Sequence, residues 1–462
     1  MISARHVSPR QIAAGLALIA GILLFIFPPS GLEPRAAKAA ALAVIAVGFW
    51  ATAALPEHVT AVGFFTLCML FGVAPANVVF GGFESTALWL VFGGLVIGMA
   101  MRHTGLGERV AGGLVRYCAS GYGAAIGGLL VISLVLGFLM PSSLGRVTLL
   151  MPIAVALAGR LDFESGSNGR IGMVLAVNFG VHVPTFTILP ANIPNMVLVG
   201  AMEKHYGLTP LYGEYLLLHF PVLGLLKTAM IFGLILWLFP DRVKAGPHAE
   251  ARTAGKLTAD QRNLALVLTL SLAFWVTDFL HHISPAWISL AAGLFCLIPA
   301  TRMLPPNGFN AIGFSGLFFV AGIMGLGAMV ADTGLGDALI GALLKVLPLA
   351  PDQPAGNFAV LGFVATILNP ITTLPGVPAV LTPLAQQMAD ATGLPLKTVL
   401  MTQVLGFSTI LLPYVSAPLV VGMQLGGEPL RHATRLCLWL TVPSILILWP
   451  IDYLWWHLLG WI

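Results

Sequence analysis

The sequence predicts an all-α membrane protein of about eleven transmembrane helices plus two re-entrant hairpins, set out as two inverted repeats. Three observations carry that prediction. Only 9% of the 462 residues are charged and 58% are hydrophobic, with a mean hydropathy of +0.94. A soluble domain carries about 25% charged residues, so this chain needs lipid as its solvent. Apolar runs of bilayer length recur from one end to the other. A stretch of the first half also reappears, in the same order, in the second.

In chain order, spans are expected at 11–30, 37–55, 59–78, 86–103, 171–200, 215–239, 263–282, 285–299, 314–331, 395–424 and 434–456. Two further apolar pairs, 121–161 and 355–390, bend at Pro-rich centres and read as hairpins that enter and leave on one side. The first run, behind Arg5 and Arg10, resembles a signal peptide. The next span follows at once with no soluble domain between, so the run is read as a retained span. The polar stretch 241–262 reads as a cytoplasmic linker. The chain thus divides into an N-terminal segment with the first span (1–36), repeat 1 (37–240), the linker (241–262) and repeat 2 (263–462).

Basic residues orient this scheme. With the N-terminus cytoplasmic in a bacterial-type inner membrane, Arg35, Lys38, Lys204, Lys345 and Lys397 fall outside, and Arg146 and Lys227 fall within membrane segments. The other fifteen of the 22 Lys and Arg lie inside. The C-terminus then lies outside, with Trp455, Trp456 and Trp461 at the interface. Topology therefore accounts for the net charge of +4, and with no basic stripe no nucleic-acid partner is expected. Cys68, Cys118, Cys296 and Cys437 are scattered, with no metal-ligand or disulfide spacing.

The repeat rests on three matches. Residues 88–115 resemble 317–344, with TGLGE at 104–108 against TGLGD at 333–337. Residues 147–158 parallel 378–389, aligning Pro152 with Pro383. Residues 188–200 parallel 411–422. Each half holds five spans and a hairpin, and an odd number of spans turns the second copy upside-down. That build is common in secondary transporters, whose sites lie at mid-membrane where broken helices meet. Gly334 to Asp337 also match the GxGD string of intramembrane proteases, but the other copy has Glu108 there and no Tyr-Asp partner exists. Walker A, HExxH and GxSxG strings are absent and membrane-depth carboxylates are nearly so. Neither an ATP-driven pump nor an enzyme is expected.

Backbone leaves helical geometry at membrane depth only where protein or water satisfies it, so four breaks are informative. They are the hairpin tips MPSSLGR (140–146) and NPITTLPG (369–376), and the span breaks at 182–195 and 413–418. Helix N-termini at such breaks suit a carboxylate or sulfate. Ser142, Ser143, Arg146, Asn195, Thr372, Thr373, Ser416 and Pro418 are the candidate substrate contacts. Ser142, Gly145, His182, Asn192, Asn369 and Thr373 are the candidates for a coupling ion. A mid-membrane arginine is expected to face a cavity or a partner. Arg146 could hold the anion with its planar fork, take a structural or ion-substituting role, snorkel to the cytoplasm, or bind backbone carbonyls in the tip. His182 could carry a coupling proton or be a hydrogen-bonded structural residue. Lys227 is read as snorkelling, and Asp278, His281 and His282 as an outer span end.

These residues resemble the divalent-anion/sodium symporter family of the ion-transporter superfamily over nearly the whole chain. Residues 50–56, from Trp50 to Pro56, resemble its W-x-T-E-A-x-P string. Gly93, Gly94, Thr104, Gly105, Leu106, Arg109 and Ala111 anchor a second segment. The family's Ser-Asn-Thr tip falls on Ser142, Ser143 and Leu144 in repeat 1 and on Thr373, Leu374 and Pro375 in repeat 2. Its Gly-Thr-Pro-Pro-Asn break falls on 191–195, keeping Pro194 and Asn195, and the counterpart on 415–419 keeps Pro418. The resemblance implies an elevator-type homodimer carrying di- or tricarboxylates, or next sulfate, with sodium bound at the tips and breaks. Leu144 and Leu374 offer no side-chain oxygen to a hard cation. The expectation is therefore sodium-independent exchange or proton coupling, with Arg146 supplying fixed charge. Oxyanion efflux, sodium/proton antiport, a transport-silent sensor and a membrane enzyme are the rival readings.

Overall fold

A computed structural model describes residues 9–115, 121–243 and 256–462. Among them every regular element is helical. Eight helices are long and apolar enough to cross a membrane, and shorter apolar helices accompany them. Most of the expected linker, 244–255, lies outside the described residues, as do Cys118 and the first eight residues.

The first half of the chain opens with α1 (Pro9–Ile26), in the segment ahead of the expected first repeat, and continues with α2 (Pro34–Thr52) and α3 (Glu57–Leu70). Next come α4 (Thr86–Thr104) and α5 (Leu106–Val115). Two long arms follow, α6 (Tyr122–Leu139) and α7 (Ser143–Arg160). Then α8 (Asn168–Gly180) and α9 (Ile193–Tyr206) flank an irregular segment. Last are α10 (Tyr212–His219), a π-helical stretch over Phe220–Leu226, and α11 (Lys227–Leu238).

Repeat 2 begins with α12 (Ala259–Val276) and α13 (Pro285–Leu297). The order of repeat 1 then recurs in α14 (Ser315–Asp332), α15 (Leu335–Leu344), the arms α16 (Pro354–Thr372), α17 (Gly376–Leu381) and α18 (Ala385–Thr392), and the broken pair α19 (Leu396–Ser408) and α20 (Ala417–Gly426). The chain closes with α21 (Leu430–Pro443), a second π stretch over Ser444–Leu448, and α22 (Trp449–Leu458).

The repeated TGLG string has a backbone cause. Gly105 and Gly334 sit at φ of +69° and +72°. This is the left-handed conformation that glycine adopts most cheaply, and it turns α4 into α5 and α14 into α15. The breaks expected inside the spans 171–200 and 395–424 are present: each span is two short helices, α8 with α9 and α19 with α20, interrupted where proline removes backbone donors.

Small residues let helices approach closely, as membrane interiors favour. A Cβ on Gly93 of α4 would sit 2.4 Å from the Ser289 carbonyl of α13, and Gly293 faces the Gly93 Cα. Gly406 of α19 abuts Ala365 of α16 in the same way. Large apolar side chains such as Leu225, Trp237, Leu280, Leu446 and Leu458 point outward, as lipid contact requires.

Candidate functional site

The first hairpin tip and the first span break are joined by one side chain. Ser142 caps α7, its Oγ accepting from the Gly145 N–H at 3.1 Å. One turn on, Arg146 is fully buried. Its Nε donates to the Val181 carbonyl at 3.2 Å, and its Nη1 donates to the Met140 carbonyl. Its Nη2 reaches the Val181 carbonyl (2.8 Å), Thr185 Oγ1 (2.9 Å), Ser143 Oγ (3.0 Å) and the Ala191 carbonyl (3.2 Å). Every guanidinium nitrogen is thus engaged by protein oxygen. Asn192 closes the ring: its Oδ1 accepts from Ser143 Oγ and its Nδ2 donates to Thr185 Oγ1 at 2.9 Å. Val181 follows the C-terminus of α8, the negative end of a helix dipole, which favours a cation. Snorkelling is excluded for Arg146 in this conformation. Sequence reasoning also missed Thr185, which nothing in a Pro-Thr-Phe-Thr string singles out.

The second hairpin tip carries no cation of its own; the cation at its break is Lys227, from α11. Asn369 of α16 donates through Nδ2 to the carbonyls of Gly406 (2.8 Å) and Thr409 (3.2 Å), tying the hairpin to the break after α19. Its Oδ1 and the Thr373 Oγ1 are buried without a hydrogen-bond partner. Thr373 lies at φ +69°, ψ 167°, a region nearly reserved for glycine and a mark of strain held at functional sites. Thr372 donates to the Leu368 and Thr373 carbonyls. Two orphaned oxygens fall short of the roughly six that a hard cation collects, and at the first tip the guanidinium already holds the oxygens.

The two broken spans cross at their breaks. His182 Nε2 meets Ser416 Oγ at 2.7 Å, and Asn178 Nδ2 donates to the Leu419 carbonyl at 2.8 Å. A Cβ on Gly422 would lie 2.1 Å from Asn178 Oδ1, so the crossing requires glycine. Phe186 packs on Phe407 beside it, centroids 5.5 Å apart. Asn195 donates to the Ile188 carbonyl at 2.9 Å while its Oδ1 stays unpaired. Pro418 stands in the first turn of α20. His182, Asn192, Asn195 and Ser416 therefore gather with the first tip, and Asn369, Thr372 and Thr373 with the second break.

Two cations were misread or missed. Lys227 does not snorkel: it is fully buried and its Nζ donates to the Ser408 carbonyl at 2.7 Å, at the C-terminus of α19. The π-helical stretch before it is the reason, since its extra residue rotates the remainder of the helix by about 100° about its axis. Arg102, near the end of α4, was counted only for topology. Its Nη1 lies 3.3 Å from where a Gly145 Cβ would stand, over the capped N-terminus of α7, and its side chain is exposed. Asp278 is buried rather than a free span end, its Oδ2 accepting from the Tyr212 N–H that opens α10.

Comparison with known proteins places this geometry in context. Residues 10–462 match the family described as the sodium:sulfate symporter transmembrane region. A sodium-dependent dicarboxylate transporter of Staphylococcus saprophyticus is 20% identical over 94% of this chain and 90% of its own length. An L-tartrate/succinate antiporter of Escherichia coli is 24% identical over 58% of each chain. The crystal structure of the Alcanivorax borkumensis YdaH transporter superposes over 86% of this chain and 89% of its own, with a TM-score of 0.52 and 16% identity, a likeness of fold.

Proposed function

The chain belongs to the sodium:sulfate symporter family, and on that premise we propose that it is a secondary transporter of small dicarboxylates in which Arg146 takes the place of a coupling sodium ion. The observation that carries this reading is the guanidinium set among the oxygens of Met140, Ser143, Val181, Thr185 and Ala191. A tethered cation there neutralises the C-terminal dipole of α8 and locks the first tip to the first break, with nothing to bind or release.

One carboxylate of the substrate is then taken at the N-terminus of α7, by backbone N–H groups, with Ser142 and Arg102 beside them. The second carboxylate is taken at the second tip, where Thr373 Oγ1 and Asn369 border the break. The dicarboxylate class is supported by the relatives in S. saprophyticus and E. coli. The hairpins and crossed spans form one hydrogen-bonded unit, which supports their moving together as the elevator of a homodimer.

A second reading has its own observation. The unpartnered Asn369 Oδ1 and Thr373 Oγ1 favour one sodium at the second tip only. A thermal-shift screen of purified protein against succinate, tartrate and sulfate, in choline and in sodium buffer, separates the two. Stabilisation by succinate in choline buffer supports the proposal. Stabilisation only in sodium supports the second reading, and none by any anion removes both.

A further inference from the structure

A second buried polar cluster lies apart from the hairpin tips. Asp452 stands in α22, fully buried, and neither carboxyl oxygen has a hydrogen-bond partner. The Trp456 indole N–H lies on the same helix face one turn on and is the donor nearest the carboxyl group, outside standard hydrogen-bond geometry. His219 is fully buried with both ring nitrogens unpaired, and its ring meets Trp456 at 5.5 Å and Tyr215 at 4.6 Å. Lys227 follows the π stretch that packs against α22, and it spends its hydrogen bond on the Ser408 carbonyl.

The helices that carry the cluster are irregular just there. Lys227 follows the π stretch Phe220–Leu226, and Asp452 comes one turn after the π stretch Ser444–Leu448. The two π stretches pack against each other. Such turns are rare and concentrate at functional sites. An intramembrane carboxyl group with no donor beyond one poorly placed indole N–H is costly and is by default functional, proton relays being a main use.

We propose that Asp452 is the proton-binding site of the transport cycle, with Lys227 passing its charge state to the break between α19 and α20. This rests on the transporter reading above. When the carboxylate takes a proton on Oδ, Lys227 loses its counter-charge, and its ammonium is held by the Ser408 carbonyl and the end of α19 alone. When the proton leaves, the carboxylate draws Lys227 back. The site is sealed in this conformation, so proton exchange requires it to open, which ties exchange to the movement of the site across the membrane.

Other titratable groups on the packed elements lie elsewhere. Arg435 and His432 of α21 sit on Phe239, as does the Tyr122 hydroxyl of α6. Arg170 of α8 pairs with Glu428 at 3.4 Å, Glu214 of α10 with Lys397, and Tyr212 lies beside Trp275. Arg431 is exposed at the start of α21, and α16 carries no titratable side chain. On α22 itself Tyr453 packs on Phe358 and His457 meets the Ile462 carbonyl, Cys437 is buried on α21, and His219 packs on Trp456.

The test needs no substrate. Infrared difference spectra of purified protein, taken across a pH series, are expected to show a titrating carboxylic C=O band that belongs to Asp452. It is lost in Asp452→Asn, shifted in Asp452→Glu and retained in His219→Gln. Titrating bands that are the same in wild type and Asp452→Asn, or no titrating band in the wild type, overturn the proposal; the Glu variant guards against a misfolded Asn variant. In proteoliposomes, an inward proton gradient is expected to concentrate succinate. Asp452→Asn is expected to lose that concentration at least tenfold, and Asp452→Glu to retain it. If succinate is not carried at all but the band titrates with Asp452, the transporter reading fails and the proton site stands.

Discussion

Replacing Arg146 by alanine tests whether the first tip is built around a resident cation. The substitution strips a donor from three carbonyls and two hydroxyls at once. The Met140 carbonyl keeps the Ser142 N–H at 2.8 Å, and Val181 keeps the Thr185 hydroxyl at 3.0 Å. The Ala191 carbonyl loses its side-chain donor outright. An orphaned buried acceptor costs about 1–3 kcal/mol, and removing one member of a buried charged network costs about 3–5 kcal/mol. A destabilisation of about 3–5 kcal/mol is therefore expected. The vacated space is lined by oxygens and shaped for a planar cation, so free guanidinium at millimolar levels should rebind there. At ten times its Kd it returns about 1.4 kcal/mol. Thermal unfolding in detergent, followed by the ten tryptophans, reads both numbers, with choline as the control cation. An Arg146→Ala protein that unfolds within about 1 kcal/mol of wild type would refute the reasoning, as would one that responds equally to choline and guanidinium.

Three further substitutions probe the rest of the site. Gly422→Ala puts a methyl group 2.1 Å from Asn178 Oδ1. It should cost about 1–3 kcal/mol in the same unfolding assay and slow succinate exchange, because the crossed spans must separate. Thr373→Gly removes a strained φ of +69° and is expected to stabilise the protein by about 1 kcal/mol or more while weakening succinate binding by the loss of a hydroxyl. Arg102→Gln should leave the unfolding temperature unchanged and raise the KM for succinate about tenfold, the loss of one charge-assisted hydrogen bond of about 1.5 kcal/mol; an unchanged KM removes Arg102 from the site.

Much of the scaffold was legible in the sequence because lipid imposes simple patterns. Charge poverty, span length and the repeated TGLG turn all have single causes, and the breaks at 182–195 and 413–418 announced themselves through proline. The side chains that finish the site were harder. Arg146 was visible as an anomaly, but its partners are backbone carbonyls some 35 to 45 residues away, and carbonyls have no sequence signature. Lys227 was misjudged because helical periodicity fixes its face only while the helix stays α, and a π turn leaves no mark beyond Pro221. Asp452 passed as part of an apolar span. Its isolation depends on what packs around it, and packing is written across the whole chain.

Succinate exchange in proteoliposomes, measured with sodium on both sides and again with choline in its place, tests the central claim most directly. A tethered guanidinium in the cation position predicts equal exchange rates in the two media. Exchange that vanishes in choline and returns in proportion to sodium would contradict it.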